Sequence, residues 1–399
     1  MKFSLLFSCV LLLFAAACPG RAQESAPNAS LYQKWTRGPS PDPNFFPIAV
    51  WLQEPVLAEK FKQAGINTYV GLWEGPTEQQ LATLKQAGMK LICEQNAVAL
   101  RHLDDPTIIG WMHDDEPDNA QALPDGRGYG PPIQPEKIVE EYENIRKADP
   151  SRPVMINLGQ GVAWNDYYGR GTRSGHSEDY PAYLKGADIA SFDIYPVVHE
   201  SPVVAGKLWY VAQGVDRLVG WAKGEKVIWN CLECTHIGAA DRKATPHQVR
   251  CEAWMSLIHG SQGIIWFVHQ FAPRENDAAL LDDPEMLAAV TALNKEITGL
   301  APVLNSPAIK YDEEVQTADP QTPVDIMVKR YQGSTYIFAV DMRDAPTKAT
   351  FTLPGLADAA TVTALDENRT MTAQNGVFTD TFAPWDVHLY KIEDATKSR

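Results

Sequence analysis

The chain contains no run of Lys or Arg, and its 50 acidic residues outnumber its 35 basic ones. The formal net charge is −15 at pH 7, so neither nucleic acid nor an anionic membrane surface is an expected partner. After the first residues, no apolar stretch reaches the roughly 18 residues that a membrane-spanning helix needs. Since 45% of the 399 residues are hydrophobic, we expect a large buried core, in one big domain or in a big one and a small one.

The longest apolar stretch is at the N-terminus, in "MKFSLLFSCVLLLFAAACPGRAQ". Lys2 precedes an apolar core from 5 to 17, and small residues follow, which is typical of a secretory signal peptide. We predict a signal peptide at 1–22, cleaved after Ala22, and therefore export to the periplasm or the extracellular space. The ending "AAAC" leaves a second interpretation open, in which a lipid is attached at Cys18.

Cysteine is scarce, because only four of the six cysteines remain after such cleavage. Cys231 and Cys234 have the C-x-x-C spacing of redox and zinc sites, but no second pair at zinc-ribbon spacing accompanies them. Cys93 and Cys251 stand alone in the sequence. We expect buried thiols or one local disulfide, and no cofactor or metal is implied.

Between residues 46 and about 300, short runs of β-branched and aromatic residues alternate with helix-period stretches. Eight runs of this kind occur: "FPIAVWL", "INTYVGLW", "MKLICEQN", "IIGWMHD", "PVMINLGQ", "DIASFDIYP", "KVIWNCLE" and "GIIWFVHQF". Such continuous apolar runs are typical of parallel strands buried on both faces. Gly65 and Gly88 stand at two helix ends, in "FKQAGIN" and "LKQAGMK". Eight βα units in about 255 residues predict a (β/α)8 TIM barrel at 45–301, because no glycine-rich phosphate fingerprint supports an open doubly wound sheet.

The sequence pattern changes after residue 301. Short alternating segments follow, separated by Gly, Asn and Asp turns: "VDIMVKRY", "STYIFAVDM", "KATFTLPG", "ATVTALD", "GVFTDTF" and "WDVHLYKI". They predict a small C-terminal antiparallel β-sandwich at 302–393. The Pro-, Ser- and Asn-rich residues 23–44 are expected to form a tether or an arm over the base of the barrel. The predicted fold class is therefore α/β, a TIM barrel followed by a β-sandwich.

The chemistry of a TIM barrel lies at the carboxyl ends of its strands. Carboxylates and aromatic rings dominate these positions here: Trp51, Trp73, Glu74, Glu94, Asn96, Asp114, Asp115, Glu116, Asn157, Gln160, Asp193, Tyr195, Glu233, Trp266 and His269. Carboxylates serve as acid, base or nucleophile, and flat rings stack on the apolar faces of sugars. This mixture favours glycoside chemistry over phosphate chemistry, which would call for glycines and basic groups. Two long loops, 117–136 and 161–181, should lie on the same face.

A glutamate at the end of strand four and another at the end of strand seven resembles clan A glycoside hydrolases, a superfamily of retaining (β/α)8 enzymes. The matching residues are Glu116 in "DDEPDN" and Glu233 in "NCLECTHIG". The resemblance implies that Glu116 is the acid/base and Glu233 the nucleophile. It also implies that Tyr195 in "DIYP" hydrogen-bonds the nucleophile and that Trp266 in "GIIWF" forms the floor under the −1 sugar. No specific family is assigned.

The stretch "IIGWMHDDEPDNAQ" departs from that pattern at one position. The clan usually has Asn before its strand-four glutamate, and here the residue is Asp115. A carboxylate can still accept a hydrogen bond from a sugar hydroxyl, and its charge should raise the pKa of Glu116. Asp118 or Asn119 is expected to cap the following helix.

Other strand-end and loop residues are candidates for sugar contacts. They are Trp51, Trp73, Asn157 and Trp164, with Tyr167 and Tyr168 in the same loop as Trp164. His113, His236 and His269 are expected to be ordinary polar neighbours.

The sequence thus predicts an exported glycoside hydrolase that cleaves a β-linked glycosidic bond by a two-carboxylate, retaining mechanism. Its partner is an oligo- or polysaccharide, and its oligomeric state is open. Two alternatives remain. His113 and the three following acids could hold a divalent metal in a metal-dependent barrel hydrolase. The barrel could also bind carbohydrate without cleaving it.

Overall fold

A computed structural model describes residues 31–309, 315–354, 356 and 359–393. Its first sheet is parallel throughout and contains β1 (Ile48–Trp51), β2 (Thr68–Val70), β3 (Lys90–Cys93), β4 (Ile108–Met112), β5 (Val154–Leu158), β6 (Ile189–Phe192), β7 (Val227–Ile228), β8 (Asn230–Glu233) and β9 (Ile264–Phe267). The order β7-β6-β5-β4-β3-β2-β1-β9-β8 closes into a barrel, because only Trp229 separates β7 from β8 and its N–H donates to Ala190 O. The predicted TIM barrel is confirmed, with the seventh strand divided at Trp229.

Helices cover the outside of this barrel. They are α1 (Ala58–Gln63), α2 (Glu78–Ala87), α3 (Pro135–Ala148), α4 (Tyr180–Tyr183), α5 (Trp209–Ala222), α6 (Pro246–Ile258), α7 (Pro284–Gly299) and α8 (Ala301–Leu304). Thr77 and Thr245 begin α2 and α6 with capping boxes. Gly65 and Gly88, after α1 and α2, have φ values of 81° and 71°, the left-handed conformation that ends a helix. A short 3-10 helix replaces an α-helix between β3 and β4.

Alternate residues of the strands form two packed layers. One layer lies inside the barrel and includes Val70, Ile92 and Ile265. The other lies between strands and helices and includes Ile264 and Leu232. Because a strand has a side-chain period of two, each strand-end residue belongs to one layer or the other, and this phase decides which side chains can reach the barrel mouth.

The described part of the predicted tether lies across the base of the barrel. Tyr32 and Trp35 are buried and pack against the residues inside the barrel. Trp229 Nε1–H donates to the Tyr32 hydroxyl over 2.7 Å, and that hydroxyl donates to Gln262 O over 3.2 Å. The N-terminal segment therefore closes the end of the barrel opposite the mouth.

The second sheet is antiparallel. It contains β10 (Ala308–Ile309), β11 (Val315–Thr317), β12 (Val324–Tyr331), β13 (Ser334–Asp341), β14 (Thr347–Thr352), β15 (Ala359–Ala364), β16 (Arg369–Gln374), β17 (Val377–Phe382) and β18 (Val387–Glu393). The order β10-β12-β13-β18-β15-β16-β17-β14-β11 encloses a separate core around Phe351 and Tyr390. The predicted C-terminal β domain is confirmed. It packs on α6, where Phe338 stacks on Trp254 at 5.1 Å between ring centroids.

The four cysteines of the described chain are buried and unpaired. The Cys231 sulfur lies 3.6 Å from the Tyr195 hydroxyl, and Cys234 donates to Phe267 O. Of the two expectations, buried thiols are therefore what the structure contains. The predicted signal peptide and Cys18 lie outside the described residues. Within the described residues, no helix has both the length and the apolar surface for crossing a membrane.

Candidate active site

Glu116 stands at the mouth of the barrel on a strained turn after β4. Its φ is 44°, a left-handed value that is uncommon for a residue with a side chain. The turn is fixed because Glu116 N–H donates to Asn157 O and Asn119 Nδ2 donates to Glu116 Oε2 over 2.7 Å. A Cβ added at Gly159 would lie 2.9 Å from Glu116 Oε1, so glycine is needed there. Strain of this kind is concentrated at functional sites, where the surroundings hold it in place.

Asp193, just beyond the end of β6, is the carboxyl that meets Glu116. Burial, the charge of Asp193 and a side-chain hydrogen bond with it raise the pKa of Glu116 well above its ordinary value, further than burial raises that of Asp193, so the proton of the pair belongs on Glu116. The Tyr195 hydroxyl also donates to Asp193 and lies 3.6 Å from Cys231 Sγ. The mouth therefore contains a carboxylic acid hydrogen-bonded to a carboxylate.

Asp115 is the third carboxyl of this group, and an amide holds it. Asn157 Nδ2 donates to Asp115 Oδ1 over 2.9 Å, and Ser191 Oγ donates to Asn157 Oδ1 over 2.7 Å. Asp115 is exposed to solvent, whereas Asn157 is buried. Asn157 was predicted to contact the sugar. The oxygen and the nitrogen of its amide instead bond Ser191 and Asp115, so Asn157 holds Asp115 in place.

Burial dominates the electrostatics of the three carboxyls. Loss of solvation, then the neighbouring Asp193 and Asp115 charges, raise the pKa of Glu116 well above its ordinary value. Burial raises the pKa of Asp193 to about 7, against the hydrogen bonds from Glu116 and Tyr195. Burial likewise raises the pKa of Asp115 to about 6. Asp115 is exposed to solvent, yet protein replaces enough of the surrounding water to raise its pKa. We call the space at the barrel mouth beside Asp115, Glu116 and Asp193 the recess.

Asp118 is not the helix cap that the sequence suggested. It is fully buried, and its carboxylate accepts from Gly159 N–H over 2.8 Å and from the Tyr180 hydroxyl over 2.9 Å. The buried Arg170 lies 3.9 Å from it. The next helix, α3, begins only at Pro135, so neither Asp118 nor Asn119 is near its first turn. Asp118 instead ties the loop after β4 to the loop after β5.

Aromatic side chains stand on two sides of the recess. On one side, Trp73 is 43% exposed and meets His269 edge-on at 6.3 Å, while Tyr195 packs on Phe267 at 5.1 Å. The other side is a cluster of four rings in mutual contact: Trp164, Tyr167, Tyr168 and His199. The pKa of Tyr167 is raised by burial and by the charges of Glu116 and Asp193, which places its hydroxyl near that pair. Trp164 Nε1–H is buried and meets no acceptor in the described residues.

Glu233 does not face Glu116 across the mouth as expected. It is fully buried at the end of β8, and its carboxylate accepts from Val197 N–H over 2.7 Å and from Val198 N–H over 3.2 Å. Burial raises its pKa to about 7, and its hydrogen-bonded side-chain partner is Glu252 of α6. The strand-end position is as predicted, but the carboxyl is turned into the protein.

The structure also places three aromatic residues away from the contacts expected for them. Tyr195 contacts Asp193 and Cys231 rather than Glu233. Trp266 is fully buried in the layer between strands and helices, where its Nε1–H donates to Asn294 Oδ1 over 2.9 Å, so it cannot be a sugar floor. Trp51 is packed inside the barrel with 5% of its surface exposed.

The metal alternative gains no support from this arrangement. In the described part of the chain, no three His, Cys, Asp or Glu side chains are grouped so that they could hold a metal ion. His113 is buried, and its Nε2 bonds Gly186 O over 2.8 Å, on the helix side of β4. It therefore points away from the carboxyls that follow it in the sequence.

The sequence places Asp193 among the strand-end residues but gives it no role, because the resemblance implies the glutamates of strands four and seven. The signal was present in "SFDIYP", where an acid follows a buried strand two positions before the tyrosine that contacts it. Phe267 was overlooked beside Trp266 because both stand in one apolar run.

Three solved structures have a similar fold. An α-amylase from Geobacillus thermoleovorans, complexed with acarbose, is 10% identical, and the match has a TM-score of 0.56 and covers 89% of this chain and 99% of that one. A maltogenic α-amylase from Thermotoga neapolitana is 9% identical, with a TM-score of 0.51 and coverage of 88% and 99%. α-Galactosidase I from Mortierella vinacea is 11% identical, with a TM-score of 0.50 and coverage of 90% and 99%.

At these identities the comparison establishes the fold: the chain has the barrel and β-domain architecture found in this group of glycoside hydrolases. No protein-family model matches the chain, and no curated protein matches it by sequence.

Proposed function

We propose that this protein is an exported glycoside hydrolase whose catalytic carboxyls are Glu116 and Asp193. The observation that carries the proposal is the hydrogen-bonded acid–carboxylate pair in a recess between two groups of rings. Glycosidic cleavage needs one protonated carboxyl for the leaving oxygen and one ionised carboxyl for the anomeric carbon. The shared fold of the amylases and the galactosidase agrees with this chemistry.

The direction of the hydrogen bond assigns the roles. Glu116 holds the proton and protonates the glycosidic oxygen, while an Asp193 oxygen attacks the anomeric carbon and the carbon–oxygen bond breaks. Glu116, now ionised, takes a proton from water, and that water displaces Asp193 from the sugar. The retaining route needs about 5–5.5 Å between the two carboxyls and the inverting route about 6.5–9.5 Å, so a close pair is nearer to the retaining arrangement. Glu116 as acid/base agrees with the sequence prediction, and Asp193 takes the place proposed there for Glu233.

The recess also supplies groups for sugar binding. Asp115 is exposed, held by Asn157, and free to accept from sugar hydroxyls. Trp73 offers an exposed ring face for stacking on a sugar. The substrate class is therefore an oligo- or polysaccharide, and export follows from the N-terminal signal pattern.

The test is a substrate screen of the mature protein with both α- and β-linked aryl glycosides and polysaccharides. Both anomers are included because the sequence suggested a β-linkage, whereas the similar structures are named α-amylase and α-galactosidase. We expect turnover that Glu116→Gln and Asp193→Asn both lose. Turnover that persists in either variant would exclude the proposed pair.

A second assay identifies the nucleophile. Asp193→Gly leaves space for azide beside the anomeric carbon of an activated aryl glycoside. Azide should restore turnover and give a glycosyl azide of inverted configuration. Rescue of Glu233→Gly in place of Asp193→Gly would return the nucleophile role to Glu233.

A further inference from the structure

Two fully buried carboxyls face each other behind the barrel mouth, Glu233 on β8 and Glu252 on α6. Neither Glu252 oxygen receives a hydrogen bond from an N–H or a hydroxyl of the described residues. An ionised carboxylate buried without donors is strongly disfavoured, so the proton of Glu252 stays on it. Its O–H then has one acceptor at hand, the Glu233 carboxylate.

Glu233 uses its remaining hydrogen-bonding capacity on backbone amides. It accepts from Val197 N–H over 2.7 Å and from Val198 N–H over 3.2 Å. An anion that accepts two amides and one carboxyl proton is well compensated without a counter-cation. The negative charge of the pair therefore belongs on Glu233, and the proton belongs on Glu252.

The two amides belong to the second half of the segment 193–199, which has both of its ends at the recess. Asp193 at the first end meets Glu116. His199 at the other end bonds Gln160 Oε1 over 2.7 Å, and its ring contacts Trp164 at 5.5 Å. Contacts that fix Val197 and Val198 therefore also restrict the positions of a carboxyl and of an aromatic ring at the recess.

We propose that Glu233 and Glu252 form a positioning pair, in which a proton on Glu252 keeps Glu233 ionised and Glu233 holds the segment 193–199 in its working position. This inference rests on the proposed function for its catalytic consequence. Glu233 and Glu252 act through the backbone and do not touch substrate. A displacement of about 1 Å at a reacting group can reduce a rate by about 10²-fold, so this support matters for turnover.

Three variants test the donor role of Glu252 and the acceptor role of Glu233 separately. Glu252→Gln replaces the O–H donor by an amide N–H donor of nearly the same shape, whereas Glu252→Met has similar volume and no donor. Glu233→Gln keeps one carbonyl oxygen but turns an NH2 group towards one of the two backbone amides. Thermal unfolding of each variant verifies that it is folded before it is compared.

The first readout is backbone hydrogen exchange of residues 197–199, measured by mass spectrometry, which needs no substrate. We expect the exchange of Glu252→Gln to match the parent and that of Glu252→Met and Glu233→Gln to be about tenfold faster, because local opening becomes easier. Unchanged protection in Glu233→Gln would overturn the inference. Equal acceleration in Glu252→Gln and Glu252→Met would also overturn it.

The second readout is kinetic. Glu252→Met should lower kcat by about 10–100-fold with little change in KM, because a reacting group is displaced and sugar binding is kept. Glu252→Gln should retain most of the parent kcat. If kcat is equally low in both Glu252 variants, the donor role is wrong. If the exchange pattern is as expected and no glycoside is cleaved, the proposed function fails while the positioning of the segment stands.

Discussion

The protein contains two groups of uncompensated carboxyls that differ in access. At the recess, Asp115 is exposed, Glu116 is partly exposed and Asp193 is buried beside them, whereas Glu233 and Glu252 are fully buried between β8, α6 and the segment 193–199. Burial is the first cause of the raised pKa in both groups. The comparison shows that a perturbed carboxyl at a barrel strand end is not sufficient to mark a catalytic group. Whether such a carboxyl can act in catalysis depends on its access to the barrel mouth and on the groups that its oxygens already bond.

The sharpest test of this comparison exchanges one carboxyl in the recess for an amide. Asp193→Asn should lower kcat/KM by about 10⁴-fold or more, since the attacking oxygen is lost. Its free energy of unfolding should be unchanged or higher, because a desolvated charge is removed. Steady-state kinetics and denaturant unfolding measure the two quantities.

The matched control is Asp114→Asn, an exposed carboxyl in the loop after β4 that also contains Glu116. It should keep kcat/KM within about threefold of the parent, as expected for a surface charge. If Asp114→Asn lowered kcat/KM as much as Asp193→Asn, the loss would come from removing any negative charge near the mouth and not from removing the nucleophile.

A second prediction concerns a carboxyl that does have a counter-cation. Asp118→Ala should lower the free energy of unfolding by about 3 kcal/mol, because Arg170 and the Gly159 N–H lose a buried partner. Urea unfolding measures the change. Asp125→Ala, which breaks an exposed pair with Arg127, should change it by less than about 1 kcal/mol. Similar losses in the two variants would contradict the structural role of Asp118.

A third prediction uses the pH dependence of kcat/KM. The working state has a proton on Glu116 and none on Asp193. As pH falls through about 7, Asp193 takes up a proton and activity should be lost; as pH rises through the much higher pKa of Glu116, the acid is lost. The optimum should therefore lie on the alkaline side of neutrality.

Tyr195→Phe sharpens this profile. The Tyr195 hydroxyl lowers the pKa of Asp193, so its removal should move the acid limb to higher pH. A limb that stays in place or moves to lower pH would contradict the contact between Tyr195 and Asp193.

The smallest effects are expected from two tryptophans at strand ends. Trp73→Ala removes an exposed ring at the recess and should raise KM several-fold, roughly 1 kcal/mol of sugar stacking, with kcat nearly unchanged. Trp266→Phe should leave KM unchanged and lower the free energy of unfolding by about 1–2 kcal/mol, because Asn294 loses its donor. A rise in KM for Trp266→Phe would place that ring at the substrate after all.

Much of the fold was predictable because its signals are local. Eight apolar runs became the barrel strands, and Gly65 and Gly88 ended the first helices as expected. In the β domain, β10 and β11 were not predicted, since strands of two and three residues have too few positions for an alternating pattern. β16, "RTMTAQ", was also not predicted, because its inward positions are Arg369, Met371 and Ala373, which do not form an apolar alternation.

The sequence predicted only part of the site, because it does not indicate which side of a strand a given side chain faces. "IIWF" is apolar at every position, so the sequence does not indicate that Phe267 points into the barrel and Trp266 away from it. The same ambiguity affects Glu233, whose direction is set by amides of Val197 and Val198, 35 residues or more earlier in the chain. Glu116 was found because four acids follow one strand directly, a local signal that needs no long-range contact.

The closure of the barrel base makes the N-terminal segment part of the folded barrel. Tyr32 accepts from Trp229 Nε1–H and donates to Gln262 O, and it packs with the residues inside the barrel. A chain shortened past Tyr32 would therefore leave the buried Trp229 N–H without its acceptor and open the inner layer of the barrel to water.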